Sequence, residues 1–266
     1  MADLSGNWPD SIRGINDLPR DQKHAIYQTL IPETLLTMCG IDPANHAIQA
    51  ESAVRLRCPM GSNSVEISVF HHAAADPVLY LHMGDTFNYQ LAVLMAVVND
   101  PASPRFNVDV DENGQPNNLG IERRNIPAEL SAKEAGLAPG QVRRGLRVFR
   151  AALPIFETFV SKLHHDLFLI EPLFYHNAII FERYGFAYTR GLQKMKTIHQ
   201  EFLLGGPLRA RLDESTPFRQ ADAWQTISGR SWAIHDGILG EPLTDLQMYK
   251  RIGKYAAIQT FPDAIW

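Results

Sequence analysis

The sequence predicts a mixed α/β (α+β) fold in which helices flank a central, largely antiparallel sheet. Several short segments of the first half alternate apolar and polar residues, which is typical of half-buried strands. Segments of the second half instead repeat apolar residues at spacings of three and four, which is typical of amphipathic helices. The chain has 266 residues, of which 45% are hydrophobic and 20% charged, so it is long enough to bury a large core.

The first half of the chain is predicted to contain short helices followed by strands. Residues 17–39 have a helical spacing that Pro32 interrupts, and Gly40 suits a helix end, so we expect two short helices there. Alternating residues predict a β-hairpin over residues 54–69 with its turn at residues 60–63. Three further strands are predicted, at residues 78–82, 91–98 and 106–110. The segment 91–98 is apolar on both faces, which favours a central strand.

The second half is predicted to be mainly helical. A polar connection over residues 119–139 leads into a long amphipathic helix over residues 141–165, in which Pro154 should produce a kink. A strand, a short helix closed by Gly185 and another helix are expected at residues 167–175, 177–184 and 192–204. The apolar segment Ile258 to Trp266 is expected to dock on the main body or on a second subunit.

This pattern predicts three parts of the chain. They are an N-terminal helical segment (residues 1–50), a main α/β domain (residues 51–190) and a C-terminal extension (residues 191–266).

Composition and charge disfavour some classes of binding partner. The formal net charge is −4 and no run of Lys and Arg exceeds two residues, which disfavours nucleic acid as a partner. Cys39 and Cys58 are too few to form a disulfide framework. The first 14 residues lack the features of a signal peptide, and the apolar run 91–98 is too short to cross a bilayer. We therefore expect a cytoplasmic protein with a small-molecule substrate and no membrane partner, and the apolar C-terminus favours a homodimer.

One turn has the residue types of an anion-binding loop. Gln141, Arg143, Arg144 and Gly145 directly precede the predicted long helix. Amide groups at a helix start can bind a diphosphate, and a glycine lets the backbone approach it closely. The arginines would add positive charge. As an alternative, the arginines form only the solvated start of the helix.

After this turn come a helix, a strand and a second short helix that ends in Phe-Glu-Arg-Tyr-Gly-Phe at residues 181–186. This order and ending resemble the C-terminal half of the GNAT superfamily of N-acetyltransferases, over about residues 139–190. The resemblance implies an acetyltransferase-like fold that binds acetyl-CoA at Gln141, Arg143, Arg144 and Gly145. It also implies transfer of the acetyl group to an amine, with no metal required.

The resemblance has two departures from the family pattern. When Gln141 is aligned with the first signature residue, Arg144 and Leu146 occupy the glycine positions. When Gly145 is instead aligned with the first signature glycine, Val142 and Arg147 occupy the other two signature positions. The position of the family's tyrosine acid is Phe181, which has no proton to donate. The expected proton-handling groups are therefore Tyr184 and His176, because phenols and imidazoles exchange protons through hydrogen bonds.

Two other functions stay open. The departures favour a non-catalytic ligand-binding or assembly protein that keeps the same fold. Histidines near predicted strand ends favour a metal-dependent enzyme, for which His72, His82 and Asp85 are the candidate ligands.

Overall fold

The computed structural model describes residues 8–39, 53–71, 76–121 and 123–266. In these residues the chain is a mixed α/β protein with seven strands, most of them antiparallel, which confirms the predicted fold class. The chain forms two compact units. The first unit contains Met1–Ser103, Gly145–Ile170 and Lys250–Lys254; the second contains Pro104–Arg144, Glu171–Tyr249 and Tyr255–Trp266. The predicted boundaries at residues 50 and 190 do not coincide with this division.

Three short helices open the described part of the first unit: α1 (Ile12–Asn16), α2 (Arg20–Gln28) and α3 (Glu33–Met38). Ser11 caps α1, because its Oγ accepts a hydrogen bond from the Gly14 amide at 3.2 Å. Pro32 immediately precedes α3, so the two helices predicted over residues 17–39 are confirmed as α2 and α3. The predicted helix end at Gly40 lies outside the described residues.

Four antiparallel strands follow, β1 (Val54–Arg57), β2 (Ser64–Val69), β3 (Leu79–Asp85) and β4 (Leu91–Val98). The predicted hairpin is confirmed, since Val54 pairs with Val69 and Arg57 with Glu66. Alternate side chains of β2, Ile67 and Val69 among them, are fully buried, while the residues between them are half-buried. Alternating burial is what the period-two sequence pattern requires.

The remaining elements, in chain order, are α4 (Ile126–Glu134), α5 (Phe149–Lys162), β5 (Leu167–Ile170), α6 (Tyr175–Arg183), β6 (Ala187–Arg190), α7 (Leu192–Glu201), α8 (Pro207–Ala210), the 3₁₀ turn Ala223–Gln225, α9 (Ile227–His235) and β7 (Gln247–Arg251).

In the first unit, α5 connects β4 to β5, and these two strands are parallel. The ring of Phe159 on α5 lies 6.5 Å from that of Tyr27 on α2, and Phe156 packs edge-on against Phe168 of β5 at 4.7 Å. Parallel strands need a crossover connection of this kind. The end of the apolar stripe of α5, Phe159 and Val160, is therefore buried against its own unit, while Leu153 and Phe156 are half-buried.

The long predicted helix is shorter than expected. It begins at Phe149 instead of Gln141, and Pro154 lies inside it. Gly140 and Arg147 both have positive φ angles, of 76° and 56°, which are incompatible with a right-handed helix. The segment before Phe149 therefore stays irregular.

In the second unit, α6 and α9 enclose a core around Trp232. The Trp232 ring stacks on Phe218 at 5.2 Å, and its Nε1 donates a hydrogen bond to the Leu137 carbonyl at 2.9 Å. The C-terminal segment packs on this same unit, since the Ile265 carbonyl accepts a hydrogen bond from the Ile227 amide at 2.8 Å. The last residues of the chain are therefore held by α9.

The strand predicted at residues 106–110 is wrong. The Val108 amide donates to the Phe106 carbonyl at 2.9 Å, so the chain turns at Asn107 where a strand would continue straight. Val108 instead packs with Ala132 and Leu137 in a small core. The alternation of apolar residues here reflects the packing of a loop.

None of the helices in the part of the chain that the structure describes has both the length and the hydropathy needed to cross a membrane.

Candidate functional site

Strand β4 extends past the strand with which it pairs in parallel. Ala92 pairs with Leu169 and Val93 with Ile170, and Ile170 is the last residue of β5. The five residues Leu94–Val98 therefore lie beyond the end of β5. We call this segment the β4 edge.

The β4 edge is apolar but not buried. Leu94 is 50% exposed, Ala96 is also exposed and the three other residues are half-buried. The strand was expected to be central because it is apolar on both faces. It does lie between β3 and β5, but its second half leaves apolar surface in contact with solvent.

A β-bulge lies where β4 leaves β5. On the other side of β4, Met83 of β3 pairs with Val93 and His82 pairs with Met95, so that Leu94 is the extra residue. A bulge bends its strand and increases the local twist, and bulges are common next to binding sites. The bulge therefore coincides with the end of the parallel pairing between β4 and β5.

The turn before α5 lies beside the β4 edge. A Cβ added to Gly145 would lie 3.4 Å from the Val98 carbonyl oxygen, so the two segments are close to van der Waals contact. The N-cap residue of α5 is Val148, which makes no side-chain capping hydrogen bond. Because the first amides of a helix have no partner within the helix, the start of α5 presents amide donors near the end of β4.

Two arginines flank this helix start. Arg147 and Arg150 are both exposed, and Arg147 has a φ of 56°, a conformation that costs a non-glycine residue about 1–3 kcal/mol. Together with the positive end of the helix dipole, they give the turn a positive potential that suits an anion.

Of the four predicted coenzyme-binding residues, only Gly145 belongs to the first unit; Gln141, Arg143 and Arg144 belong to the second. The side chain of Gln141 serves a local turn, because its Oε1 accepts from the Ala138 amide at 2.8 Å. Arg143 is half-buried and Arg144 is exposed. The basic residues that the sequence argument missed are Arg147 and Arg150.

His176 lies inside the second unit. Its Nδ1 is 2.9 Å from the Ser231 Oγ, its ring stacks on Phe174 at 5.7 Å, and its side chain is 2% exposed. Burial, with a smaller contribution from nearby His235, lowers the pKa of His176 to about 3. The imidazole is therefore neutral at physiological pH, and its burial argues against contact with a substrate.

Tyr184 is the C-cap residue of α6 and is half-buried. Gly185 follows with a φ of 79° and ends the helix, as predicted. Phe186 is fully buried, and its ring lies 5.1 Å from that of Phe181. The Tyr-Gly-Phe sequence therefore terminates a helix and anchors it in the core of its unit.

The predicted metal ligands do not converge in the part of the chain that can be described. His82 and Asp85 are both on β3, but their odd spacing places them on opposite faces of the strand. The carboxylate of Asp85 accepts from the amides of Ile12 and Arg13 at 2.8 and 2.9 Å. His72 lies outside the described residues. Among the residues described, no group of three or more His, Cys, Asp or Glu side chains is arranged to bind a metal.

A second polar cluster is buried in the second unit and is fully engaged. We call it the Arg124 network; its members are Arg124, Glu129, Arg219, His235 and Asp236. Arg124 donates to both Glu129 and Asp236, and His235 Nε2 lies 3.2 Å from the other Glu129 oxygen. Side chains whose charges are all compensated hold a fold together better than they bind a ligand.

A signal for the missed site was partly present in the sequence. The run Leu91–Val98 is apolar at every position, whereas a strand with one face in solvent needs apolar residues only at alternate positions. A second signal is that Arg147 and Arg150 follow Gly145 closely in the sequence. The bulge at Leu94 and the end of the parallel pairing at Val93 depend on tertiary contacts and have no local signature.

Comparison with known proteins gives no relative, since no protein family, curated protein or solved structure matches this chain.

Proposed function

We propose that this protein is an acyl-CoA-dependent N-acyltransferase that transfers an acetyl group to an amine. One observation carries the proposal: the β4 edge extends past the end of β5 at a bulge, and the start of α5 lies beside this edge. Both elements belong to the first unit. They offer separate binding surfaces for the two chemically different parts of coenzyme A.

The residues present fit this coenzyme. Its anionic diphosphate needs amide donors and positive charge, which the start of α5 supplies together with Arg147 and Arg150. Its extended arm carries amide groups, which can hydrogen-bond to the backbone of a strand edge as an added strand does. The β4 edge offers such a backbone, and its exposed apolar side chains, Leu94 and Ala96, can cover the arm.

Arg147 occupies the position of the second signature glycine when Gly145 is aligned with the first. Its φ of 56° is in the left-handed region that glycine adopts most readily. At this position the chain therefore has a glycine-like backbone conformation together with a positive charge.

The order of elements also supports the proposal. β4, α5 and β5 are followed by α6, which ends at Gly185-Phe186, as the resemblance to N-acetyltransferases predicts.

Bound coenzyme would supply an acyl group activated as a thioester. The chain itself would orient that group through the amides of the β4 edge and hold the diphosphate at the start of α5. A donor amide of the β4 edge would stabilise charge on the carbonyl oxygen of the thioester.

The test is a calorimetric titration of the protein with coenzyme A and acetyl-CoA at two salt concentrations, with adenosine as a control. We expect both coenzymes to bind with about 1:1 stoichiometry, more weakly at high salt because the diphosphate contacts are electrostatic. Adenosine should bind much more weakly. Absence of binding at millimolar coenzyme would refute the proposal.

A non-catalytic coenzyme-binding protein is the second candidate, and the burial of His176 together with Phe181 at the position of the family's tyrosine favours it. It predicts coenzyme binding without turnover of acetyl-CoA by any of a panel of primary amines.

A further inference from the structure

A row of side chains crosses the sheet of the first unit and ends at the bulge. Arg57 of β1 pairs with Glu66 of β2, Glu66 with His82 of β3, and His82 with Met95 of β4. Residues opposite each other in an antiparallel pair lie on the same face, with Cβ atoms about 5 Å apart. One face of the sheet therefore carries three polar groups in line with the first residue of the β4 edge that follows the bulge.

This face is accessible, in contrast to the other one. Glu66, Tyr80, His82 and Met95 are half-buried, whereas residues on the opposite face, such as Ile67 and Met83, are fully buried.

Two of the titratable groups on this face, Glu66 and Tyr80, already have partners within the protein. One oxygen of Glu66 lies 3.2 Å from the Arg57 guanidinium, and the other accepts a hydrogen bond from the Tyr80 hydroxyl at 3.1 Å. Burial, together with Glu66 beside it, raises the pKa of Tyr80, so its phenol stays protonated at neutral pH. Neither group is suited to take a proton from a substrate.

His82 is the third group, and its ring is not engaged. Among the described residues, no side chain or backbone group forms a hydrogen bond with its imidazole. Its facing neighbours are Glu66 on β2 and Met95 on β4, with Tyr80 two positions away on β3 and Arg57 at the far end of the row. The strand that carries this imidazole lies about one strand spacing, about 4.8 Å, from β4, so a ligand over β4 is within reach of the ring through one water molecule.

We infer that His82 is the general base that deprotonates the amine acceptor above Met95; this inference rests on the proposed acyltransferase function. A protonated amine has no lone pair with which to attack, so the imidazole must first accept its proton. The amine nitrogen then forms a bond with the acyl carbon while the bond between that carbon and sulfur breaks. The nitrogen loses its second proton, through solvent, to the leaving thiolate, and the imidazolium returns the first proton to solvent. The products are the amide, the free thiol and one proton in solution.

Glu66 acts as a positioning residue in this scheme. Its carboxylate, held by Tyr80 and Arg57, lies across from His82 on the paired strand. The acceptor is then an amine that carries an apolar group, because the wall of the face beside His82, formed by Met95 and Val97, is apolar.

The experiment compares the unaltered protein with His82→Gln and with the control His164→Asn. His164 is an exposed histidine of the same unit with a positive φ of 61°, which asparagine tolerates. Calorimetric titration with acetyl-CoA comes first. Release of free thiol from acetyl-CoA is then followed with a panel of primary amines between pH 5 and 9.

We expect all three proteins to bind acetyl-CoA equally, and His82→Gln to lower kcat about 100-fold or more, a typical effect of losing a general base. The acidic limb of the pH profile should be present in the unaltered protein and absent from His82→Gln. If His82→Gln is unstable, His82→Ala with added imidazole takes its place, and imidazole should restore turnover.

Each other outcome has a distinct meaning. Loss of acetyl-CoA binding in the unaltered protein would refute the proposed function itself. Normal binding with unchanged kcat and pH profile in His82→Gln would refute only the role of His82. Binding without turnover of any amine by the unaltered protein would also overturn this inference.

Discussion

The Arg124 network and the β4 edge differ in how far their side chains are engaged in contacts within the protein. In the network, Asp236 accepts from Arg124, Arg219 and Thr216 at 2.6–2.8 Å, and its side chain is 7% exposed. In the β4 edge, exposed apolar side chains lie near the start of α5 and the ring of His82, which has no hydrogen bond within the described residues. Apolar surface in contact with solvent is available to a ligand.

The two histidines His176 and His82 show the same difference. His176 is fully buried, bonded to Ser231 and neutral, whereas His82 is half-buried on an accessible face. Sequence reasoning favoured the first as a catalytic group and the second as a metal ligand. Burial and hydrogen bonding reverse that preference, because only an accessible imidazole can exchange protons with a substrate.

The largest effect is expected from breaking the Arg124 network. Glu129→Ala would leave Arg124 and His235 without their shared carboxylate, which is 1% exposed. Loss of one member of a buried charged group costs about 3–5 kcal/mol. We therefore expect a fall of that size in the free energy of unfolding, measured with urea. Glu134→Ala, at an exposed position of the same helix, should change the free energy of unfolding by less than about 0.5 kcal/mol.

The next largest effect is a pH dependence that comes from His176. Its folded-state pKa of about 3 is below the ordinary value of about 6.5, so its contribution to stability is complete above pH 6.5. That contribution is lost as pH falls towards 3, because the unfolded state takes up a proton that the folded state does not. Between pH 6.5 and 5 the loss is about 2 kcal/mol at about 1.4 kcal/mol per pH unit.

Urea unfolding at several pH values checks this prediction. His176→Phe should lack this part of the pH dependence, while the exposed His164→Asn should retain it. Equal slopes in His176→Phe and the unaltered protein would show that His176 is not neutral in the folded state.

A smaller effect is expected at the turn before α5. Arg147→Gly relieves the backbone strain of a positive φ at a non-glycine residue, but it also removes a positive charge from the proposed diphosphate site. Stability should change by less than about 1 kcal/mol, since relief of strain is offset by the entropy of glycine. The Kd for coenzyme A should rise about fivefold, equivalent to about 1 kcal/mol. Calorimetry tests this, with Arg13→Gln, an exposed arginine of the same unit, as the control that should bind normally.

The smallest effect is expected at Leu94. Because its side chain is 50% exposed, Leu94→Ser should change stability by less than about 0.5 kcal/mol, as is usual for surface positions. It should still weaken coenzyme binding about twofold to fivefold by removing apolar contact. A large loss of stability instead would mean that the side chain of Leu94 packs in the protein core and does not contact the coenzyme.

Local sequence patterns predicted much of the fold and little of the site. The hairpin of β1 and β2, the helices α2 and α3 and the end of α6 at Gly185 depend on alternation, proline and glycine, which act over a few residues. The strand predicted at residues 106–110 failed because tertiary packing around Val108 produced the same alternation in a loop.

The candidate site was not predicted because it also depends on tertiary contacts. The bulge at Leu94, the end of parallel pairing at Val93 and the approach of Gly145 to Val98 join residues that are distant in sequence. The start of α5 was placed eight residues too early, because the left-handed conformation of Arg147 is not expected of an arginine. This error moved the predicted charges from Arg147 and Arg150 to Arg143 and Arg144.

The most direct test of the central claim is amide hydrogen exchange of the protein with and without saturating coenzyme A. The proposal predicts slower exchange, by about tenfold or more, for the amides of Leu94–Val98 that point away from β3 and for those of Phe149 and Arg150, while amides of α9 stay unchanged. Unchanged exchange at both places, or protection confined to other parts of the chain, would contradict it.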